Sequence, residues 1–186
     1  MKVINLHQQE NKIICLACEN NRHAQQQIYS KFSPKMLGVC RQYIKDIQQA
    51  EDIMITAFMK VFLNLKNFEK KGSFEGWIRR IMVNECISFI RVQKKVKFIE
   101  DEEYFEESFN NIESKFSVDD IQHLIDQLPD GYKMIFNLYC IEGYKHQEIA
   151  TILSINEGTS KSQLSHARKV LQQQITKLKN YENGTE

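Results

Sequence analysis

The residues that most constrain this chain lie between Ala50 and Leu65. Ala50, Ile53, Met54, Ala57, Phe58, Val61, Phe62 and Leu65 recur at i, i+3, i+4 over four turns, so only a helix can put them all on one buried stripe. Glu51 and Asp52 are expected in its first turn, where the helix dipole favours acids. With only 2 Pro and 7 Gly in 186 residues, little interrupts helices elsewhere. Residues 10–32 read as one or two helices, and Ser33-Pro34 as the start of another, with Ser as N-cap and Pro in its first turn. A long helix is expected from about Glu75 to Lys95, carrying Trp77, Ile78, Ile81, Met82, Cys86 and Ile90. The expected fold class is all-α, with helical domains over 1–97 and 119–186 joined by an acidic linker over 98–118. The C-terminal domain is expected to contain a helix-turn-helix.

Charge supports that division. The net charge of +1 conceals nine acids and one base in residues 99–120, which leaves 24 bases and 15 acids, a net of +9, on the rest. Residues 60–97 hold ten Lys/Arg against three acids, and residues 159–179 hold five against none. Two basic blocks on either side of an acidic insert suggest two surfaces that meet a polyanion. Fully extended, the linker reaches about 70 Å; as a flexible coil it separates its ends by nearer 26 Å, an order-of-magnitude figure.

Three stretches suggest contact surfaces. On the Ala50–Leu65 helix, Ile55, Met59 and Leu63 form a second apolar row that the helix's own core does not need. It suits either a crowded bundle or a docking face for another protein. The Asn67–Phe74 stretch breaks the helical period with a basic turn, Lys70-Lys71-Gly72, between Phe68 and Phe74. A basic helix with Arg79, Arg80 and Arg91 comes next. Cations that hold phosphate beside rings that take unstacked bases are what single-stranded or melted DNA requires; equally, Phe74 and Trp77 could be core residues below a solvated basic face. Finally, Tyr144–Leu171 reads as two short helices, with Gly158-Thr159 as turn and N-cap. Leu164, Ala167 and Leu171 face inward, and Lys161, Ser162, Gln163, Ser165, His166, Arg168 and Lys169 are expected on the other face. That is the pattern of a helix-turn-helix with its recognition helix second, although a plain αα-hairpin would share it.

Other chemistry is not signalled. No phosphate-cradling Gly-rich loop, dinucleotide fingerprint or nucleophile elbow is present, and the five His are scattered. Glu102/Glu103 and Glu106/Glu107 fall in the linker, where no acid–base pair can be preorganised. No catalytic residue, metal site or cofactor is expected. Cys15-x-x-Cys18 lacks a second ligand pair, and five cysteines without a framework spacing point to reduced cytosolic thiols. No run approaches the roughly 18 apolar residues of a membrane span, and nothing marks export, so a cytoplasmic protein without membrane insertion is expected.

Taken in order, the pieces resemble the extracytoplasmic-function group of bacterial sigma factors over roughly residues 20–97 and 119–175. The first half matches through Ala50-Glu51-Asp52…Phe58 and Gly72-Ser73-Phe74-x-x-Trp77-Ile78-x-x-Ile81-x-x-Asn84…Arg91. The second matches through Leu128-Pro129, Glu148-Ile149-Ala150…Gly158-Thr159-x-Lys161-Ser162…Ala167-Arg168…Leu171. The resemblance implies a subunit that binds core RNA polymerase, at the clamp helices of the largest subunit and at the flap, and directs it to promoter DNA. It places Asp52, Ile55, Met59 and Leu63 on core polymerase. It places Asn67, Phe68, Lys70, Lys71, Ser73, Phe74, Trp77, Arg79, Arg80 and Arg91 on a melted −10 element. Thr159, Lys161, Ser162, Gln163, Ser165, His166, Arg168 and Lys169 then fall on the −35 element. An anti-sigma factor is a common partner in this group, though no residue here identifies one.

The chain departs from the family at Ile55, where a polar residue is common, and at Ser154, often Gly. It departs again at Ser160, usually Val, and at Gln163 and His166, frequently Arg. Fewer Arg mean fewer bidentate guanine contacts, each worth about 1–3 kcal/mol. Two other functions fit parts of the pattern. A stand-alone helix-turn-helix regulator, with N-terminal helices for a ligand or a dimer, would shift duplex DNA without polymerase. A protein-only adaptor would lack the log–log salt slope near −5 that about six phosphate contacts produce.

Overall fold

The computed structural model describes residues 2–94 and 117–182, so most of the acidic linker lies outside the described residues. Among them every regular element is helical, in two compact units divided at Gln93/Lys94.

The first unit holds α1 (Lys2–Cys18), α2 (Arg22–Tyr43), α3 (Ile47–Leu63), a 3-10 turn (Leu65–Asn67) and α4 (Phe74–Lys94). Its core is the inward stripe of each helix: Met36 and Cys40 from α2, Ala50, Ala57 and Val61 from α3, Ile78, Met82 and Cys86 from α4, all fully buried. Ser33-Pro34 does not start a helix. Pro34 sits inside α2, whose N-cap is Asn21, accepting from the Ala24 amide at 3.0 Å. The buried row Ala24, Ile28, Phe32, Met36, Val39, Tyr43 runs straight through the proline. Packing along that row outweighs the backbone bond the proline removes. Similarly, α3 starts earlier than expected. Asp46 caps it, accepting from the Gln49 amide at 2.8 Å, so Glu51 and Asp52 lie beyond the first turn.

The second unit holds α5 (Val118–Asp126), α6 (Asp130–Phe136) continuing into a π-helical turn (Asn137–Ile141), α7 (His146–Leu153) and α8 (Glu157–Glu182). Ser117 and Asp120 form a reciprocal capping box at the start of α5. Leu124, Ile125 and Leu128 pack with Ala167 and Leu171 of α8, flanked by Tyr132, Phe136, Val170 and Ile175. The turn between α7 and α8 is Ser154–Asn156 rather than Gly158-Thr159. Ser154 takes a left-handed conformation, φ 57°, ψ 46°, as the C-cap of α7. Asn156 Oδ1 accepts from the Thr159 amide at 2.6 Å and from its hydroxyl at 2.9 Å, so Asn156 occupies the capping role expected of Thr159.

Candidate nucleic-acid interface

In the first unit, the second row on α3 faces solvent. Ile55, Met59 and Leu63 are 48%, 62% and 80% exposed, whereas the stripe beside them is buried. Asp52 is exposed one turn before Ile55, and a shallow groove beside it is lined by Gln49, Thr56, Glu85, Phe89 and Val92. Of the two sequence readings, a crowded bundle is therefore excluded within the first unit itself. The row forms an apolar strip with an acid at its upstream end.

The segment between α3 and α4 is organised by rings. Phe68, Phe74 and Trp77 cluster with centroids 5.1 to 5.9 Å apart, and Phe74 also meets Phe32 of α2 edge-on at 5.7 Å. Phe74 is buried, so its place among the DNA contacts is corrected: it anchors the loop to the core. Phe68 and Trp77 are half-buried on the outer side of this cluster. Ser73 is exposed, and its Oγ accepts from the Gly76 amide at 3.3 Å, capping α4. Lys70 and Gly72 take positive φ, 57° and 98°, which folds the basic turn tightly. Lys71 is exposed and paired with Glu69 at 2.8 Å, and Lys70 Nζ lies 3.9 Å from Cys15 Sγ.

Asn67, Trp77 and Lys60 line a concavity with Asn64, Asn84 and Ser88. Asn64 and Asn84 are polar contributors that the sequence reading left out of the site. The signal was present, because Trp77, Ile81, Asn84 and Ser88 succeed one another at spacings of 4, 3 and 4, one helical face. Arg80 and Arg91 are exposed on α4; Arg79 is half-buried and donates to Gln42 Oε1 at 3.5 Å. An amide-lined hollow with an aromatic wall and arginines on the same helix can hold a planar base and the phosphates either side of it.

In the second unit the exposed stripe of α8 is narrower than expected. Lys161 and Lys169 are exposed, and Ser165 and Arg168 are half-buried. Lys161 is also bridged to Glu157 one turn earlier, at 2.8 Å. Thr159, Ser162 and Gln163 are 5%, 3% and 1% exposed, so their assignment to base contact is corrected. The physical reason lies in the first turns of α8, which are tied inward. Thr159 is held by Asn156, the Ser162 hydroxyl donates to the Thr159 carbonyl at 3.2 Å, and Ser160 Oγ meets His146 Nδ1 of α7 at 2.9 Å. His166 is likewise corrected: it is half-buried, its ring stacks on Tyr132 with centroids 5.8 Å apart, and Nε2 is shielded from solvent. The remaining polar stripe runs Lys161, Ser165, Arg168, Lys169, Gln172, Thr176 down one side of α8.

Beside it, Tyr139 from the π turn lies under the Arg168 guanidinium, 5.7 Å from its ring centroid, and stacks on His146 at 4.5 Å. Burial and the nearby Lys161 charge hold His146 below its ordinary range. The Lys161 ammonium, by hydrogen bond, holds the Glu157 carboxyl below its own.

No helix among the described residues is long and apolar enough to cross a membrane.

Comparison with known proteins supplies a family for both units. Residues 28–96 match the model of sigma-70 region 2, and residues 119–171 that of sigma-70 region 4. The sigma factor SigV of Bacillus subtilis is 31% identical over 135 residues, covering 73% of this chain and 81% of that protein. The sigma-H factor of Pseudomonas aeruginosa is 26% identical over 185 residues, covering 92% of this chain and 96% of that one. Among solved structures, the Bartonella quintana sigma factor RpoE, crystallised with the anti-sigma factor NepR, shares the fold at a TM-score of 0.52 and 21% identity, covering 81% of this chain and 96% of that one. The region 2 match accounts for the N-terminal helices that a stand-alone regulator would have used for a ligand or a dimer. With both regions present in order and the polar hollow and basic stripe each on its matched region, the chain belongs to the extracytoplasmic-function group of the sigma-70 family of RNA polymerase sigma factors.

Proposed function

We propose that this promoter-recognising sigma factor divides its work between three surfaces. The exposed row Ile55, Met59 and Leu63, with Asp52 at its head, docks on core RNA polymerase. The hollow beside Trp77, rimmed by Asn64, Asn67 and Asn84, receives a base of the melted −10 element, with Phe68, Lys70, Lys71, Arg80 and Arg91 around it. The stripe from Lys161 to Lys169 meets the −35 duplex. The observation that carries this reading is the strip on α3, because three large apolar side chains at 48–80% exposure on one helix face have no role within their own fold.

Each DNA surface is small, and neither has many arginines. Joined by one linker and held in geometry by the polymerase, they gain through effective concentration. The sigma factor performs no chemistry of its own here; the polymerase supplies catalysis, and the cytoplasm is where the two meet. A sigma factor of the same fold, RpoE of Bartonella quintana, has been crystallised with the anti-sigma factor NepR. An anti-sigma factor is accordingly placed among this chain's partners.

Run-off transcription with purified core polymerase on a promoter library tests the reading. A specific start site dependent on this chain is expected. Ile55→Asp with Met59→Asp should abolish co-purification with core while leaving the circular dichroism spectrum unchanged, since exposed positions carry little stability. Lys161→Ala and Arg168→Ala should weaken promoter engagement and spare core binding. No start site from the wild-type chain, or loss of core binding in the α8 variants, refutes the assignment.

A further inference from the structure

Tyr139 lies outside the two helices of the helix-turn-helix, yet it touches both. It belongs to the π turn Asn137–Ile141, closed by the Glu142 amide donating to the Asn137 carbonyl at 3.0 Å. A π turn accommodates one residue more than an α turn. Such turns recur at functional sites. Here the Tyr139 ring stacks on His146, at the start of α7, with centroids 4.5 Å apart and planes 22° apart. The same ring carries the Arg168 guanidinium at 5.7 Å, within cation–π range. His146 in turn meets Ser160 Oγ at 2.9 Å. A continuous set of contacts, Arg168–Tyr139–His146–Ser160, thus ties the third turn of α8 back to its first through α7.

Arg168 is the arginine of the exposed α8 stripe, and a long side chain of this kind loses much rotamer freedom when it engages DNA. A ring that already holds the guanidinium reduces that loss. We infer that Tyr139 is a positioning residue for promoter recognition: it presets Arg168 for the duplex through its ring, not through its hydroxyl. The inference rests on the proposed role of the α8 stripe and adds to it a residue that lies in neither helix of the motif.

The test uses the full-length chain assembled with core polymerase on a promoter that supports wild-type start-site selection. Binding is measured against salt for Tyr139→Phe, Tyr139→Leu, Arg168→Ala and the double variant Tyr139→Leu/Arg168→Ala. Tyr139→Phe keeps the ring and should stay within about twofold of wild type. Tyr139→Leu should weaken promoter binding about tenfold, of the order of one good arginine contact. It should also lower the salt slope by about one unit, as Arg168→Ala does. The double variant should be no weaker than Arg168→Ala alone. Core affinity should stay constant throughout, which separates the effect from unfolding. Wild-type binding by Tyr139→Leu, equal losses in Tyr139→Phe and Tyr139→Leu, or losses that multiply in the double variant would each overturn the inference. Failure of the wild-type chain to give any core-dependent start site overturns instead the functional reading beneath it.

Discussion

Lys133 offers the sharpest physical test of the second unit. Its ammonium pairs with Asp126 at 2.5 Å, with the two side chains only 6% and 4% exposed. The pair links the end of α5 to α6 across the Leu128-Pro129 corner. Replacing Lys133 with Met keeps the stem's apolar packing and removes the charge, leaving the buried carboxylate without the Lys133 cation. Breaking a buried pair from one side costs about 3–5 kcal/mol. Gln122 Nε2 still donates to Asp126 Oδ1 at 3.2 Å, which argues for the lower end, about 3 kcal/mol. For a unit of this size each kcal/mol shifts the melting midpoint by about 4–8 °C, so a fall of at least roughly 12 °C is expected. The double variant Lys133→Met/Asp126→Leu should recover nearly all of it, because an apolar pair of similar volume avoids the desolvation of both ions. The assay is hydrogen exchange by mass spectrometry on the full chain, tracking peptides within 118–175, with thermal melts alongside. If Lys133→Met loses less than about 1 kcal/mol, or if the double variant is no better than the single, the pair is not the buried ionic contact argued here.

Two individual residues give further expected outcomes. Ser154→Gly should stabilise the second unit by about 0.5–1 kcal/mol, since a non-glycine residue at φ 57° pays about 1–2 kcal/mol and glycine returns part of that as unfolded-state entropy; protection of the α7–α8 peptides that stays level or falls would contradict this. His146 is held below its ordinary value, chiefly by burial, so the folded state prefers it neutral. The unfolded chain binds the proton first, near pH 6.5, so stability should fall as pH drops below that value towards the lower folded one. His146→Phe, which keeps the stack on Tyr139, should flatten the melting midpoint between about pH 7 and pH 5; an unchanged slope would rule His146 out as its source.

Much of the fold was legible because helical periodicity is local. The buried stripe on α3 reads directly from Ala50 to Val61, with Leu65 buried in the 3-10 turn beyond the helix end, and the second row could be separated from it by spacing alone. The boundaries of individual helices were less legible where local signals competed with packing. Ser33-Pro34 has the chemistry of a helix start, yet the buried row on either side of it runs unbroken, and α2 continues through. Gly158-Thr159 has the chemistry of a turn and cap, but the left-handed residue is Ser154 and the cap is Asn156. The candidate site shows the same division. Lys161, Arg168 and Lys169 were found as cations on one side of a helix. Thr159, Ser162, Gln163 and His166 were assigned to that side by residue type; the structure buries the first three and stacks the half-buried His166 on Tyr132.

The amino-acid sequence by itself determined that this chain is helical, that it falls into two helical regions about an acidic insert, each carrying a basic block, and that it belongs among sigma factors. Those properties rest on periodicity, charge and motif order, which survive without knowledge of any contact. Only the tertiary structure decided which polar residues are available. Phe74 is an anchor because Phe32 of another helix lies against it, and Asn64 joins Asn84 in one hollow because α3 ends where α4 passes. Tyr139 meets Arg168 because α8 passes the turn that carries its ring. Each depends on residues distant in sequence meeting in space, and a one-dimensional pattern carries no information about that meeting.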